Sequence, residues 1–523
     1  MRPMKTFVAL VLLALFAPEA WAVGTTYYVD TNAGAGGAGG INDPYNTFAI
    51  AFAARGGSEV YILKNGTHSA AGAAISSAPA GTAAHPTMIK GQTLDQCIIT
   101  RADSLTINVD VGIQFVEFHD LKWNYAGEKN ITGAYIKMFR CRLKGGSASG
   151  NNVTFAIGSG SDLITTHDVY LEDVLVWGAG GRYKVLVYNA FNVSGNRVVA
   201  RHDGGWGDVE ESDPEAVFTV YDSSNVIWTT CAVIDSTNST TAILFTYTGG
   251  FYYVNNDPVA NMQLDQVYNL GTIVLGSEEY GYRGDANADC SSCTWRNVVA
   301  WNVLDGGFGF GSNSNFNVNI DQFAIGFSSG TIDDGIGIGD FGSTTGGIRN
   351  GIITGMQDDL NGAAATYVDT YNNAASGTGT GWQTYNPFAN GYKFLTQITT
   401  GSNLDADGEG STPMGPNIRK RYNVNADFFR RGTWATESSV DLWPWPLEAS
   451  VKGNLCDGTN QIGFCDPRNA SVTFSQYVQG YQANFTTPDG SGDGGGEQPA
   501  APSGSPRKSI TGGKSISGFG RIY

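Results

Sequence analysis

The sequence lacks a long apolar run beyond its N-terminus, and it lacks an excess of basic residues. No segment after residue 22 is long and apolar enough to span a bilayer, so no integral membrane segment is predicted. Asp and Glu number 48 against 31 for Lys and Arg, which gives a formal net charge of −17. Nucleic acids and anionic lipids attract basic surfaces, so neither is a predicted partner. A calcium ion or a neutral glycan surface is the partner that this acidic composition favours.

Cysteines are few, and their number, seven, is odd. No His follows the Cys290–Cys293 motif, which excludes a haem attachment site, and a single CxxC indicates neither zinc nor redox chemistry strongly. Cys456 and Cys465 lie nine residues apart in a loop-rich region and are predicted to form a disulfide if the protein is exported. Cys97 and Cys141 fall near bends between apolar runs, where they are predicted to be small buried residues.

The first 22 residues have the three parts of a secretory signal. Arg2 and Lys5 give the charged start, Phe7–Phe16 the apolar core, and Ala20–Ala22 the small-residue cleavage site. The apolar core is about half the length of a membrane-spanning helix. The sequence therefore predicts a secreted or cell-surface protein.

Short alternating runs joined by polar bends recur along the chain. Thr294–Asn302 and Phe316–Gly326 each consist of two alternating runs around a bend, at Asn297 and at Asp321, 24 residues apart. Alternation predicts strands, and Asn or Asp between strands predicts turns. A period this short leaves no room for the helix of a βαβ unit. The L-x-x-L-x-L spacing of leucine-rich repeats is missing, which excludes that class.

The same bend recurs in other alternating runs, at Asp120, Cys141, Asp173, Thr230 and Asn350. Self-similarity at this spacing without helices predicts a β-solenoid of roughly ten to thirteen coils. We expect the bends to stack near one corner of the coil, with Asn297 and Asp321 no more than about 10 Å apart.

The N-terminal part resembles a known family. Tyr27–Asp30, Asp43–Tyr45, Phe48–Gly57 and Val60–Thr67 are similar to the start of secreted right-handed parallel β-helix proteins of the pectate-lyase-like superfamily. The resemblance implies an all-β, right-handed parallel β-helix. From the residues themselves, Thr47 is predicted to cap a short helix at Phe48–Arg55 that closes the N-terminal end of the coil, and 412–485 is predicted to be a C-terminal cap folded back over the last coils. The resemblance does not fix an activity, because the superfamily contains lyases, hydrolases, adhesins and proteins without a known reaction.

The predicted organisation has six parts along the chain. These are a signal peptide at 1–22, the N-terminal cap and first coil at 23–91, the parallel β-helix at 92–411, a C-terminal cap region at 412–485, a flexible linker at 486–506 and a C-terminal tail at 507–523. A short amphipathic helix is predicted after Thr473. The tail is basic and ends in bulky apolar residues, so it is either a disordered end or a strand that adds to an exposed sheet edge and mediates self-association.

A dense acidic cluster supplies the first candidate site. A β-helix lyase requires a cation, usually calcium, that acidifies the proton next to a uronate carboxylate, and an Arg or Lys base that removes the proton. Arg201 or His202 is the predicted base, and Asp203, Asp208 and Glu210 are the predicted calcium ligands. The alternative interpretation of this cluster is an acidic solvated loop between coils. The arginine-rich motifs of known pectate lyases are missing. A hydrolase would instead use two or three carboxylates, such as Asp333, Asp334 and Asp340.

A second loop has the spacing of a structural calcium site. Asp405, Asp407 and Glu409 occupy positions 1, 3 and 5, and Gly410 follows at position 6. Pro416 stands where a complete EF-hand loop has Glu, so any ion bound here is predicted to add rigidity only. The 285–289 segment repeats the 1, 3, 5 spacing.

Aromatic residues are the last candidate group. Trp206 and Tyr221, together with Tyr252 and Tyr253, are predicted to stack on sugar rings if they face outward, and to be packing residues if they do not. The sequence thus favours a secreted β-helix that binds, and in one version cleaves, an extracellular polysaccharide of uronate type with the help of calcium. The alternative is a non-catalytic surface, adhesin or filament protein.

Overall fold

The computed structural model describes most of the chain between residues 24 and 480. The described residues are 24–69, 77–101, 107–109, 112–125, 127–145, 153–158, 165–178, 182–202, 215–236, 249–254, 267–277, 280–285, 288–303, 305–311, 316–327, 335–340, 347–361, 364–374, 376–423, 436–458 and 463–480. The predicted signal peptide, linker and tail lie outside them.

Nearly all the strands belong to three stacks of parallel strands, which we call the first, second and third sheets. The first sheet contains Thr26–Val29, Val60–Leu63, Thr87–Gly91, Gln114–His119, Ala134–Phe139, Thr166–Glu172, Ala190–Asn196, Ser224–Thr229 and Tyr268–Leu270. The second contains Gly66–Ser69, Cys97–Thr100, Lys122–Asn124, Arg142–Gly145, Leu175–Gly178, Val199–His202, Ala232–Ser236 and Ile273–Ser277. Four strands run on from the first sheet into the second: Cys290–Val303, Phe316–Gly326, Ile348–Thr354 and Thr366–Tyr371.

The third sheet has ten strands. They are Ile107–Val109, Lys129–Ile131, Val153–Gly158, Tyr183–Tyr188, Ala216–Tyr221, Gly249–Val254, Tyr280–Gly284, Gly306–Phe310, Ile336–Asp340 and Asp358–Asn361. Each coil of the chain passes through the first, second and third sheets in turn, and each strand pairs with its counterpart in the next coil. The protein is therefore a right-handed parallel β-helix, which confirms the predicted fold class.

One corner of the coil is built from residues with left-handed backbone. Residues with positive φ angles between the first and second sheets include Asp120, Arg140, Asp173, Arg197, Thr230, Gly271, Asn297, Gln322, Asn350 and Tyr367. Arg296 pairs with Asp321, so the two predicted bends lie on neighbouring strands and the expected stacking is confirmed. Two of the predicted positions, Cys141 and Asp321, are wrong by one residue, because Arg140 and Gln322 take the left-handed conformation instead.

Apolar and aromatic side chains fill the inside of the coil. In the third sheet Phe218, Phe251, Tyr282 and Phe308 occupy one inward position in four successive coils, with ring centroids 4.8 to 5.4 Å apart. Cys141 is fully buried, and burial raises the pKa of its thiol to about 12. Together with the buried Cys97, it confirms the prediction of small buried residues next to the corner.

The N-terminal end is closed by the helix Phe48–Arg55. The Thr47 side chain accepts a hydrogen bond from the Ile50 backbone amide, and Gly56 ends the helix with a φ of 95°. Phe52 is buried and meets the ring of Tyr61 edge to face at 4.9 Å. The predicted cap helix is confirmed.

A covering segment, which we define as the described residues between 385 and 480, lies along the outer face of the second sheet. Its regular elements are the helices Glu448–Leu455 and Phe474–Gln479, the 3₁₀ turns Asn403–Asp405, Gly463–Cys465 and Pro467–Asn469, and the antiparallel strands Lys420–Asn423 and Thr436–Asp441. The Glu409 amide donates to Asn350 Oδ1 (2.7 Å), the Asn417 amide donates to Asn297 Oδ1 (2.9 Å), and Ser450 Oγ accepts from Arg142 Nη2 (2.7 Å). The segment therefore runs back along the coils.

Two disulfides form, and one of them was predicted. Cys456 bonds to Cys465 in the covering segment, which confirms the predicted pair, and Cys290 bonds to Cys293. Thr473 caps the helix Phe474–Gln479 as expected. Within the described residues, no helix is long and apolar enough to cross a bilayer.

Candidate functional site

The outer face of the first sheet carries a row of rings, which we call the aromatic row: Phe115, Tyr135, His167 and Phe191. Phe115 and Tyr135 are stacked with centroids 4.4 Å apart and planes 3° apart. His167 follows at 4.9 Å from Tyr135 and lies 4.8 Å from Phe191. All four side chains are partly exposed. Four coils thus present rings side by side over about three strand spacings, roughly 14 Å.

A set of titratable side chains lies beside this row, and we call it the polar cluster: Glu117, His119, Lys137, Tyr170, Glu172 and Arg197. Glu117 receives a contact from each of two donors, Lys137 Nζ at 2.8 Å and His119 Nε2 at 3.0 Å. Burial alone would raise the pKa of the Glu117 carboxyl, but the His119 hydrogen bond and the Lys137 charge lower it by more. Glu117 is therefore ionised at neutral pH and orients both donors.

The second half of the cluster is centred on Glu172. The Tyr170 hydroxyl donates to one oxygen of Glu172, and Arg197 Nη2 donates to the other at 2.7 Å. Burial, reinforced by the charge of Glu172, raises the pKa of Tyr170 well above its ordinary value. Tyr170 therefore keeps its proton at neutral pH. Arg197 also makes a two-point contact with Asp173 (2.7 and 2.9 Å) at the corner.

Strand register explains why these groups meet. Val116 pairs with Ile136 and Ile136 with Val169, so the inward residues of three strands are aligned. Successive residues of a strand point to opposite faces. The residues that follow, Glu117, Lys137 and Tyr170, therefore form one outward column along the coils.

The cluster provides the parts of a general acid–base site. Lys137 and Tyr170 donate hydrogen bonds to the two carboxylates, and His119 is an imidazole, the side chain used most often as a general acid or base. The carboxylates of Glu117 and Glu172 are already contacted by cationic side chains or hydroxyls. They do not fit a calcium ion, and across the described residues no group of three or more His, Cys, Asp or Glu side chains is placed to hold a metal.

The predicted base residues lie on a different face. Arg201 is fully buried beneath the covering segment, with Nε 3.4 Å from Asp235 Oδ2 and Nη1 donating to the Leu455 carbonyl at 3.2 Å. Burial, followed by the charges of Lys184 and Arg201, lowers the pKa of His202 well below its ordinary value. These surroundings fit a structural role, and the proposed base role stays a prediction.

The acidic residues predicted to act with Arg201 lie outside the described part of the chain. They are Asp203, Asp208 and Glu210, and the predicted stacking residue Trp206 lies there too. Glu215, at the end of the same stretch, is described. It accepts hydrogen bonds from Arg182 and from the Tyr183 hydroxyl (2.6 Å).

The loop with calcium spacing lies on the covering segment, five coils from Arg201. Asp405 Oδ2 accepts from the Gly401 amide at 2.8 Å, and the exposed Glu409 pairs with Arg349 at 3.2 Å. Two of the three predicted ligands therefore have protein partners. Asp407 differs, because its Oδ2 is buried and lacks a hydrogen bond within the described structure.

The predicted stacking tyrosines divide between the outside and the core. Tyr221 lies on the outer face of the third sheet, partly exposed, with its ring edge to face with Tyr188 at 4.8 Å. Tyr252 is on the same face, and Arg283 lies over its ring at 5.4 Å. Tyr253 faces the core, fully buried against Trp295, which excludes it as a stacking residue. For Tyr221 the role stays a prediction.

Comparison with known proteins gives similarity in structure only. No family model matches the chain, and no curated protein matches it. Among solved structures, pectate lyase Pel9A is 13% identical, with a TM-score of 0.43 over 76% of this chain and 97% of its own. The A-module of the Azotobacter vinelandii mannuronan C-5 epimerase AlgE4 is 13% identical, with a TM-score of 0.39 over 65% and 92%. A rhamnogalacturonan lyase is 11% identical, with a TM-score of 0.35 over 71% and 91%.

Proposed function

We propose that this protein binds and processes an extracellular polysaccharide along the outer face of the first sheet. The observation that carries the proposal is the aromatic row beside the polar cluster. Aromatic rings at regular spacing suit a chain of sugar rings, whose apolar faces stack on them. The hydroxyls and charges of the polymer would meet the donors of the cluster. The predicted secretion signal supports an extracellular substrate.

The proposed chemistry is proton transfer. His119, oriented by Glu117, takes a proton from the polymer, and Lys137 gives one to the oxygen that leaves. On a uronate polymer this would be an elimination that leaves a double bond in the product. Lys137 would first contact the uronate carboxylate. No step is assigned to calcium, because the carboxylates of the cluster have other partners.

Binding is tested first, with immobilised neutral and uronate polymers and the full-length protein. Tyr135→Ala removes a ring from the middle of the aromatic row and should weaken binding by at least about tenfold, or ~1.4 kcal/mol. Tyr221→Ala is the matched control, since it removes the same ring from the outer face of the third sheet. It should leave binding unchanged, and the reverse pattern would move the binding face to the third sheet.

Processing is tested by following ultraviolet absorbance, which rises when elimination forms a double bond. His119→Ala should lower kcat by about 10²–10⁴-fold with a smaller effect on KM. Reducing-end release without absorbance would indicate hydrolysis. If no polymer binds, or if Tyr135→Ala and His119→Ala behave as wild type, the non-catalytic structural rod is the better interpretation.

A further inference from the structure

A chain of polar side chains ends at His167, the imidazole of the aromatic row. Asp168, Asn192 and Asn225 follow one another in three successive coils, near the beginning of the first-sheet strands. All three have left-handed backbone, with φ angles of 55°, 59° and 51°, which Asp and Asn tolerate. Their side chains therefore form a ladder along one edge of the first sheet.

The hydrogen bonds along this ladder have a fixed direction. Asn225 Nδ2 donates to Asn192 Oδ1 at 2.8 Å, and Asn192 Nδ2 in turn donates to Asp168 Oδ1. The other oxygen of Asp168, Oδ2, lies 2.7 Å from His167 Nδ1. Because a carboxylate only accepts hydrogen bonds, His167 Nδ1 carries the proton in this contact. Asp168 is 5% exposed and Asn192 is fully buried, so little water competes for these bonds.

This arrangement leaves the outer nitrogen of His167 as an acceptor. In a neutral imidazole with its proton on Nδ1, Nε2 has the lone pair. Among the described residues no hydrogen bond reaches Nε2, and the side chain is 22% exposed. The ring is held between Phe191, stacked on it at 4.8 Å, and Tyr135, edge to face at 4.9 Å. His167 therefore presents an oriented acceptor within a row of rings.

His119 is arranged differently and lies in another part of the face. Its Nε2 already contacts Glu117 at 3.0 Å. In the strand between them, Phe139 pairs with His119 and Ala134 pairs with His167. The two imidazoles are therefore separated by five residues, roughly 17 Å along the strands. His167 lies too far from the polar cluster to share in its proton transfer.

We propose that His167 Nε2 accepts a hydrogen bond from a hydroxyl group of a sugar that stacks on the aromatic row. Asp168 is then a positioning residue, because it keeps the proton on Nδ1. The proposal rests on the glycan face proposed above and gives that face a specificity. A site built to accept from a hydroxyl rejects a sugar unit on which that hydroxyl is etherified or esterified.

The tautomer of His167 is tested without any ligand, in the full-length protein with isotope-labelled histidine and nitrogen NMR. The chain has five His, and the signals lost in His167→Phe identify those of His167. At about pH 8.5, where imidazole is generally neutral, the wild type should have its proton on Nδ1. In Asp168→Asn the new amide oxygen keeps the Asn192 hydrogen bond, so the new amide nitrogen faces His167 Nδ1. The proton should therefore move to Nε2.

Selection of the hydroxyl is tested at the same pH with a soluble β-glucan and a polyuronate, each in native form and with its hydroxyl groups O-methylated. The wild type should bind at least one native polymer about two- to tenfold more tightly than its methylated form through this hydrogen bond. His167→Phe keeps a ring in the row and should bind both forms equally. Asp168→Asn should lose the preference too.

Asp321→Asn is the matched control. It makes the same change at another corner carboxylate, which accepts from Asn350 Nδ2 at 2.7 Å, and it should keep the preference for the native polymer. Thermal unfolding shows whether each variant is folded, and His167→Phe keeps the test valid if Asp168→Asn is not.

Two results would overturn the proposal and leave the glycan face standing. One is a wild-type His167 with its proton on Nε2. The other is a His167→Phe preference equal to that of the wild type, in a protein whose binding is still weakened by Tyr135→Ala. Binding that Tyr135→Ala leaves unchanged, or no binding to any of the four probes, would instead contradict the glycan face itself, and the role of His167 would fall with it.

Discussion

The outer faces of the first and second sheets come from the same coils yet differ in chemistry. The second sheet turns Leu175, Val199, Ile273 and Val299 outward, and the covering segment buries them in a second hydrophobic core. At the equivalent outward positions of the first sheet stand residues such as Glu117, Lys137 and Tyr170. A strand that is buried on both faces has a continuous run of apolar residues in its sequence. A strand with one face towards ligand or solvent alternates between apolar and polar residues.

The largest expected effect tests whether the outer face of the second sheet and the covering segment form a hydrophobic core. Trp301 points outward yet is fully buried, edge to face with Tyr392 of the covering segment at 5.9 Å. Trp301→Ala should lower the free energy of unfolding by roughly 3–5 kcal/mol in urea denaturation. Trp295→Ala, inside the coil, should cost a similar amount. A Trp301→Ala loss below about 1 kcal/mol would show that the covering segment does not form a core.

The next largest loss of stability is expected at Asp235, which attaches the covering segment to the second sheet by hydrogen bonds. Asp235 is buried and accepts from the Tyr477 hydroxyl (2.5 Å) and the Phe464 amide (2.8 Å), with Arg201 nearby. Asp235→Ala should destabilise by about 3 kcal/mol, because Arg201 loses its buried carboxylate partner. Asp235→Asn keeps an acceptor for the amide and should lose less. Equal losses in the two variants would contradict this account.

The sequence predicts the coil well wherever turn chemistry marks it. Asp120, Asp173, Asn297 and Asn350 are predictable as bends because Asn and Asp tolerate left-handed backbone, and Thr230 is predictable because it separates two alternating runs. Arg140, Arg197 and Gln322 were missed as corner residues because neither Arg nor Gln signals a turn. Tertiary contacts offset the cost of left-handed backbone at the two arginines, since each makes a two-point contact with an Asp of a preceding coil.

The polar cluster could not be predicted in the same way. Alternation shows that Glu117, Lys137 and Tyr170 point outward, but their alignment depends on coils of unequal length between them. A search for polar residues at one outward position before each bend would have found it. Dense acidic sequence points instead to residues 203–215, most of which lie outside the described structure. The sequence predicts a C-terminal cap over the last coils only, whereas Ser450 of the covering segment contacts Arg142 of an early coil, a partner 308 residues away.

The corner between the two faces allows a finer test with matched substitutions. Asp120 contacts Arg140, which is 37% exposed, whereas Asp173 contacts Arg197, which is 5% exposed. Asp173→Asn should therefore lower the free energy of unfolding by about 1–2 kcal/mol, and Asp120→Asn by less than about 1 kcal/mol. Asn keeps the left-handed backbone in both. Urea denaturation checks the order, and the reverse order would contradict the dependence on burial.

The smallest expected effect concerns the pH dependence of folding stability, through Glu117 of the polar cluster. The pKa of Glu117 lies below its ordinary 4.5 because the contributions of His119 and Lys137 exceed the opposing effect of burial. A lowered carboxyl pKa stabilises the folded state fully above the unfolded value, and this contribution is lost as the pH falls through the folded value.

Glu117→Gln removes this proton linkage, so its stability should fall less steeply than that of wild type between about pH 5 and 3. Glu409→Gln, which alters a half-exposed ion pair with Arg349, is the control and should follow the wild-type curve. Unfolding in urea across this pH range makes the comparison. If the Glu117→Gln curve were parallel to that of wild type, His119 and Lys137 would not be held by Glu117 in solution. The acid–base arrangement proposed for the first sheet would then lose its orienting group.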